Sequence, residues 1–169
     1  QGFTHDIVDG RTETAAQIVA FGQAAELAIA SLANDAPRIR AQRDRMEAAL
    51  MDTIPGVTRN GAKEPRLPNT SNLSFAGCEA EAILLLLDRK GICASSGSAC
   101  TTGSLAPSYV LTAMGVAPEH ALSSVRLSLS KYTTDAEIDF LLEQFPPIIA
   151  TLRGASPKPE VAAASEISG

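Results

Sequence analysis

Tryptophan is absent from this 169-residue chain and aromatic residues make up only 4% of it, so alanine and leucine must fill much of any core. Histidine is scarce, with only His5 and His120, and the three cysteines include no Cys-x-x-Cys pair. The usual zinc-ligand spacings are therefore excluded and no metal site is expected. An odd cysteine count without disulfide-framework spacing points to free thiols in a reducing, soluble compartment, so a cytoplasmic location is expected. No signal-peptide pattern is present and the longest uninterrupted apolar run is far short of a membrane span, so no membrane partner is expected. Basic excess is missing too. At a net charge of −5 the chain lacks what phosphate-backbone binding requires, and no nucleic-acid partner is expected. Arginines 38, 40, 43 and 45 interleave with Asp44 and Glu47 and read as a solvated helix face.

What is present suffices for one folded domain: 45% hydrophobic residues against 20% charged. The opening "QGFTHDIVDGR" has no initiator methionine and no periodicity, which predicts an irregular segment over 1–11 in a processed product or excised fragment. From Thr14, Ile18, Phe21, Ala25, Ala28 and Leu32 recur at helical steps as one apolar stripe, with Thr14 and Gln17 spaced as a capping box. A second helix is predicted from about Pro37 to Thr53, with Ile39, Met46 and Leu50 inward. Short strands are predicted at 57–59 and over "TSNLSF", 70–75. A helix over 79–90, apolar on nearly every side, should be buried between layers and stop at Gly91.

Pro107 should open a helix reaching about Met114. "SSVRLSLS", 123–130, is the clearest strand: Val125, Leu127 and Leu129 face one way, and Ser124, Arg126, Ser128 and Ser130 the other. Thr134 and Glu137 form a capping box for a last helix, which Pro146 and Pro147 should kink or interrupt. Residues 154–169 have little to bury and predict a flexible tail. The whole is an α+β domain, a short sheet covered by helices.

Chemistry concentrates in "CASSGSACTTGS", residues 93–104. A thiolate needs exposure and donors, and the glycines and hydroxyls around Cys100 supply both. Cys93, after Ile92, reads as a buried, inert strand-end thiol, and Cys78 as structural or incidental. On these residues alone, a plain Gly/Ser linker is the better reading and a reactive loop the alternative, since no histidine base is close in sequence. The absence of a Gly-Lys-Ser/Thr ending excludes a P-loop. Arg126 is the lone charge on a serine-lined strand face. It suits either an ordinary exposed arginine or a clamp for a carboxylate.

"ASSGSACTTGSLAPSYVL" followed by "SSVRLSLSKYTTDAEIDFL" closely resembles the C-terminal portion of NifS/IscS-like cysteine desulfurases. "RLPNTSNLSF" and "TETAAQIVAFGQAAELA" resemble upstream family segments, so the resemblance spans residues 12–153. It implies the small C-terminal domain of a fold-type-I, aminotransferase-like enzyme that is a homodimer and uses pyridoxal phosphate. The implied reaction converts L-cysteine to L-alanine and carries the sulfur as a persulfide for an iron–sulfur scaffold or another acceptor protein. Cys100 maps to the persulfide cysteine and Arg126 to the substrate-carboxylate arginine. "GSACTTGS" leans toward the nitrogen-fixation branch.

Two departures accompany the match. Lys63, Lys90, Lys131 and Lys158 all lie outside the family's Schiff-base motif, so the cofactor lysine is not in this chain and the fragment alone should be inactive. Thr12 aligns with the threonine that reaches the cofactor phosphate of the partner subunit, but Arg11 replaces the preceding glycine and the upstream glycines are lost. His5 matches no family position and reads as a solvent histidine. Two other readings stand beside the desulfurase: a cofactor-free sulfur carrier using Cys100, and a related lyase such as a selenocysteine lyase.

Overall fold

The computed structural model describes residues 14–96 and 107–155. The segments predicted as an irregular start and a flexible tail lie outside these residues, apart from Gly154 and Ala155, which end the last helix. The chain divides after Arg38 into two compact units.

A single helix, α1 (Ala15–Thr53), runs through the stretch where two were expected. Pro37 opens no second helix. Proline there forfeits one amide and crowds the Ala33 carbonyl, but the flanks are rich in alanine, leucine and arginine, and propagation through such residues outweighs one lost bond. Thr14 starts the helix with its backbone carbonyl, which accepts from the amides of Gln17 and Ile18 at 2.9 and 3.0 Å.

In the first unit the predicted inward stripe is exposed: Ile18, Phe21 and Leu32 are 66%, 78% and 60% accessible, and Val19, Leu27 and Ile29 are exposed as well. The side chains are apolar around the whole circumference, a pattern that the stripe alone did not capture. By length and composition this helix is apolar enough to cross a membrane, although no uninterrupted apolar run in it is long enough.

In the second unit, strands β1 (Val57–Arg59), β2 (Thr70–Phe75), β3 (Ser95–Ser96) and β4 (Ser124–Ser128) form an antiparallel sheet in the order β1-β2-β4-β3. Helices α2 (Ala80–Asp88) and α5 (Asp135–Ala155) join the rest of α1 in building the core. Leu73 and Phe75 of β2 and Val125 and Leu127 of β4 meet Met46, Leu50, Ile83, Leu87, Ile138, Phe145 and Ile149 in one cluster. Phe75 and Phe145 stack with ring centroids 4.8 Å apart. The alternation in β2 and β4 thus sends one face to the core and leaves the other polar.

Helix α2 is one-sided, not buried all round. Ala80, Ile83 and Leu87 face the core while Leu85 is 62% exposed, because only its sheet-facing side meets a packed layer. Gly91, at φ +76, closes it in the left-handed region that glycine tolerates, and the Ile92 amide returns to the Leu87 carbonyl at 3.0 Å.

The helix expected after Pro107 is only α3 (Tyr109–Ala113), followed by an unforeseen α4 (Pro118–Leu122). Gly115, at φ +79, separates them. Helix α5 starts with the predicted capping box: the Thr134 amide donates to Glu137 at 2.8 Å and the Glu137 amide to Thr134 Oγ1 at 3.2 Å. It continues through Pro146 and Pro147. Those prolines forfeit two helical bonds, but buried Phe145, Ile148 and Ile149 hold the segment against the core.

The arginine-rich face of α1 is not wholly solvated either. Arg43 is fully buried. Its guanidinium donates to the Leu67 carbonyl at 2.6 Å and to Asp44 at 2.9 and 2.6 Å, and pairs with Glu64 at 3.3 Å. One turn on, Glu47 is also buried. It accepts from both terminal nitrogens of Arg66 at 2.7 Å, from Arg59 at 3.1 Å and from Ser71 Oγ at 2.6 Å. Burial pushes the Glu47 carboxyl up, but the hydrogen bonds from Arg66, Ser71 and Arg59 and the charge of Arg66 outweigh it and hold the pKa at about 2. This cluster ties α1 to β1, to the following loop and to β2.

Candidate substrate-carboxylate site

The polar face of the sheet carries Asn72 and Ser74 from β2 and Ser124, Arg126 and Ser128 from β4. Cross-strand register sets Ser74 opposite Ser124 and Asn72 opposite Arg126, while Ser95 of β3 flanks Arg126 on its other side. The pair of serines in β3 carries little strand signal of its own, and pairing with β4 makes it an edge strand.

Arg126 is half-buried on the central strand. Among the described residues it makes no ion pair and its guanidinium donates no hydrogen bond, and its Nε is buried without a partner. Burying part of a charge without a counter-ion is unfavourable, so the position favours an anion. A planar guanidinium matches a carboxylate through two parallel bonds.

Beside it lies a hydrogen-bonded group that the sequence did not mark as a site. Asn60 Nδ2 lies 2.7 Å from Asn72 Oδ1 and 2.9 Å from both Ser74 Oγ and Ser124 Oγ, so its two protons are shared among three acceptors. Ser74 and Ser124 are fully buried, and Ser124 Oγ donates to the His120 carbonyl at 2.6 Å. The one sequence signal for this group was the alternation of "TSNLSF", which puts Asn72 and Ser74 on the face opposite Leu73.

Cys100, Thr12 and His5 lie outside the described residues. Cys93 is exposed, not buried as expected. Ile92 takes the place against the core, so the next side chain turns outward. Cys93 lines a cleft of about 310 Å³ together with Met46, Leu127, Leu129, Glu137 and Leu141, and neither Arg126 nor Asn72 belongs to that lining.

Cys78 is buried, and burial pushes its thiol up despite the opposing charge and hydrogen bond of Arg153. Brief iodoacetamide treatment of native protein at neutral pH is expected to label Cys93, and Cys78 only after unfolding. Native labelling of Cys78 at the rate of Cys93 would contradict this burial.

The described residues do not fit a resident pyridoxal phosphate. Lys63, Lys90 and Lys131 are all exposed, and none lines the cleft. Among the described residues, no group of three or more histidine, cysteine, aspartate or glutamate side chains could hold a metal ion.

The chain is similar to cysteine desulfurases. It is 49% identical over 148 residues to a cysteine desulfurase of Azotobacter chroococcum mcd 1, covering 88% of this chain and 37% of that protein. With the cysteine desulfurase NifS of Azotobacter vinelandii it shares 48% over 146 residues, 86% of this chain and 36% of the relative. The chain thus spans little more than a third of these relatives' length.

Among solved structures, a NifS-like protein superposes with a TM-score of 0.72 at 29% identity, over 83% of this chain and 35% of that one. A NifS-like protein from Rickettsia africae ESF-5 does so with a TM-score of 0.72 at 33% identity, over 82% and 36%. The family model described as Aminotransferase class-V matches residues 8–141. That match takes in the polar sheet face with Arg126, and the chain belongs to the class-V aminotransferase family.

Proposed function

We propose that this chain is the small C-terminal domain of a pyridoxal-phosphate-dependent cysteine desulfurase, in which Arg126 holds the substrate carboxylate and Cys100 takes its sulfur. The supporting observation is the guanidinium of Arg126 on the polar face of a central strand, uncompensated among the described residues. L-cysteine carries the missing anion, and a carboxylate bound there is held at a fixed distance from the strand.

Chain connectivity supports the assignment of Cys100. It lies four residues beyond Ser96, whose partner in β4 is Val125, next to Arg126. Four residues span at most about 14 Å, so the thiol is tethered close to any substrate anchored on Arg126. The Cys100 thiolate would form a sulfur–sulfur bond with the substrate Sγ as the carbon–sulfur bond breaks, leaving L-alanine and an enzyme persulfide. An acceptor protein, such as an iron–sulfur scaffold, would then take the sulfur.

The Schiff-base lysine of the cofactor belongs to other parts of the enzyme, which works as a homodimer in the cytoplasm. The present chain contributes the carboxylate clamp and the thiol.

The test is to react the complete enzyme with L-cysteine, alkylate without reductant, and weigh the peptide that contains Cys100. One added sulfur atom at Cys100, removable by reductant, is the expected result. Turnover with Cys100 unmodified throughout would overturn the assignment.

A further inference from the structure

Arg126 does not stand alone on its face. The Phe75 amide donates to the Ser123 carbonyl at 3.1 Å and the Leu129 amide to the Asn69 carbonyl at 2.8 Å. These bonds frame the β2–β4 ladder, and counting inward by twos makes Asn72 and Arg126 a non-hydrogen-bonded pair. In an antiparallel sheet such pairs bring side chains closest together.

The orientation of the Asn72 amide follows from its neighbours. Ser124 spends its hydroxyl proton on the His120 carbonyl, so its oxygen must accept from Asn60. The Asn60 atom at that contact is therefore Nδ2, and the Asn72 atom that faces it at 2.7 Å must be the acceptor, Oδ1. The Asn72 NH₂ group is left as a donor, and among the described residues it makes no hydrogen bond. Ser95, on the other side of Arg126, is already committed, because its hydroxyl donates to the Ser96 carbonyl at 2.8 Å.

We propose that the Asn72 side-chain amide is a second donor to the substrate carboxylate, working beside Arg126 and held in orientation by Asn60. The two donors offer no competing acceptor toward the ligand and suit an anion with several lone pairs. Asn60 touches no substrate; it is a positioning residue that fixes which end of Asn72 faces outward. This inference rests on the assignment of Arg126 to the carboxylate.

The experiment compares L-cysteine with its methyl ester, which lacks the negative charge, as substrates of the complete enzyme. In Asn72→Ala, KM for L-cysteine should rise about tenfold with kcat within about twofold, while the ester is little affected. The preference for acid over ester, as a ratio of kcat/KM, then falls about tenfold. Asn72→Asp sets a like charge against the carboxylate and should lower that ratio by about a hundredfold. Asn60→Ala should shift it in the same direction by less.

Equal losses for acid and ester in Asn72→Ala would mark Asn72 as structural and overturn the proposal. If Arg126→Ala collapses the acid preference and Asn72→Ala leaves it intact, only the role of Asn72 fails. If Arg126→Ala leaves the preference intact, the carboxylate assignment itself fails. Should Asn72→Ala not fold, as judged by circular dichroism, Asn60→Ala gives the same reading: equal losses for both substrates overturn the proposal.

Discussion

Cutting Glu47 back to alanine is expected to cost about 3–5 kcal/mol of folding stability, the usual effect of removing one partner from a buried ionic group. Glu47 is the common acceptor for Arg66, Arg59 and Ser71. Arg66 is mostly buried, and both it and Arg59 already have a buried Nε without a partner. Removing the carboxylate strands their charge where water cannot fully replace it. Against a typical total of about 5–15 kcal/mol, that leaves a substantial unfolded fraction. Urea titration at neutral pH measures the loss, and a midpoint equal to that of the parent protein would contradict the packing.

Glu47→Gln separates the charge from the shape. The folded carboxyl pKa is about 2 against an ordinary 4.5, so the folded state binds this proton more weakly than the unfolded chain does. The stability it contributes is fully present above about pH 4.5 and is lost as pH falls toward about 2. The shift corresponds to about 3 kcal/mol. The stability gap between parent and Glu47→Gln should therefore narrow over that window, while other carboxylates titrate alike in both proteins.

How much of this was legible in the sequence depended on whether the signal was local. The strand at Ser124–Ser128, the inward set of Val125, Leu127 and Leu129, and the capping box of Thr134 and Glu137 are patterns within a few residues. All are found in the structure. Pro37 misled because a single forbidden bond looks like a boundary, whereas helix propagation sums over both flanks. Arg43 and Glu47 looked like solvated charges because their partners at Leu67, Glu64, Arg66 and Ser71 lie about two dozen or fewer residues away in a loop and strand with no readable register.

The site divides in the same way. Arg126 announced itself as a lone charge among serines. Asn72 and Asn60 did not, because what distinguishes them is cross-strand placement opposite a residue more than fifty positions away. Cys93 is exposed for a local reason: its neighbour Ile92 holds the inward position.

If the proposed function holds, exchanging Cys100 for serine in the complete enzyme is expected to lower desulfurase turnover about a thousandfold or more, while L-cysteine binds within about twofold of the parent affinity. The two effects separate because binding and sulfur capture use different groups. On the proposed assignment the carboxylate is held on the sheet by Arg126, whose strand does not contain position 100. Sulfur capture needs a nucleophile that is already ionised near neutral pH, and a thiol meets that need far better than a hydroxyl without an adjacent base. Cys93→Ser is the matched control. Its thiol is exposed and lines a cleft that excludes Arg126, so turnover should stay within about twofold. If Cys93→Ser abolished turnover and Cys100→Ser kept it, sulfur would be captured seven residues earlier, ahead of β3 and not beyond it.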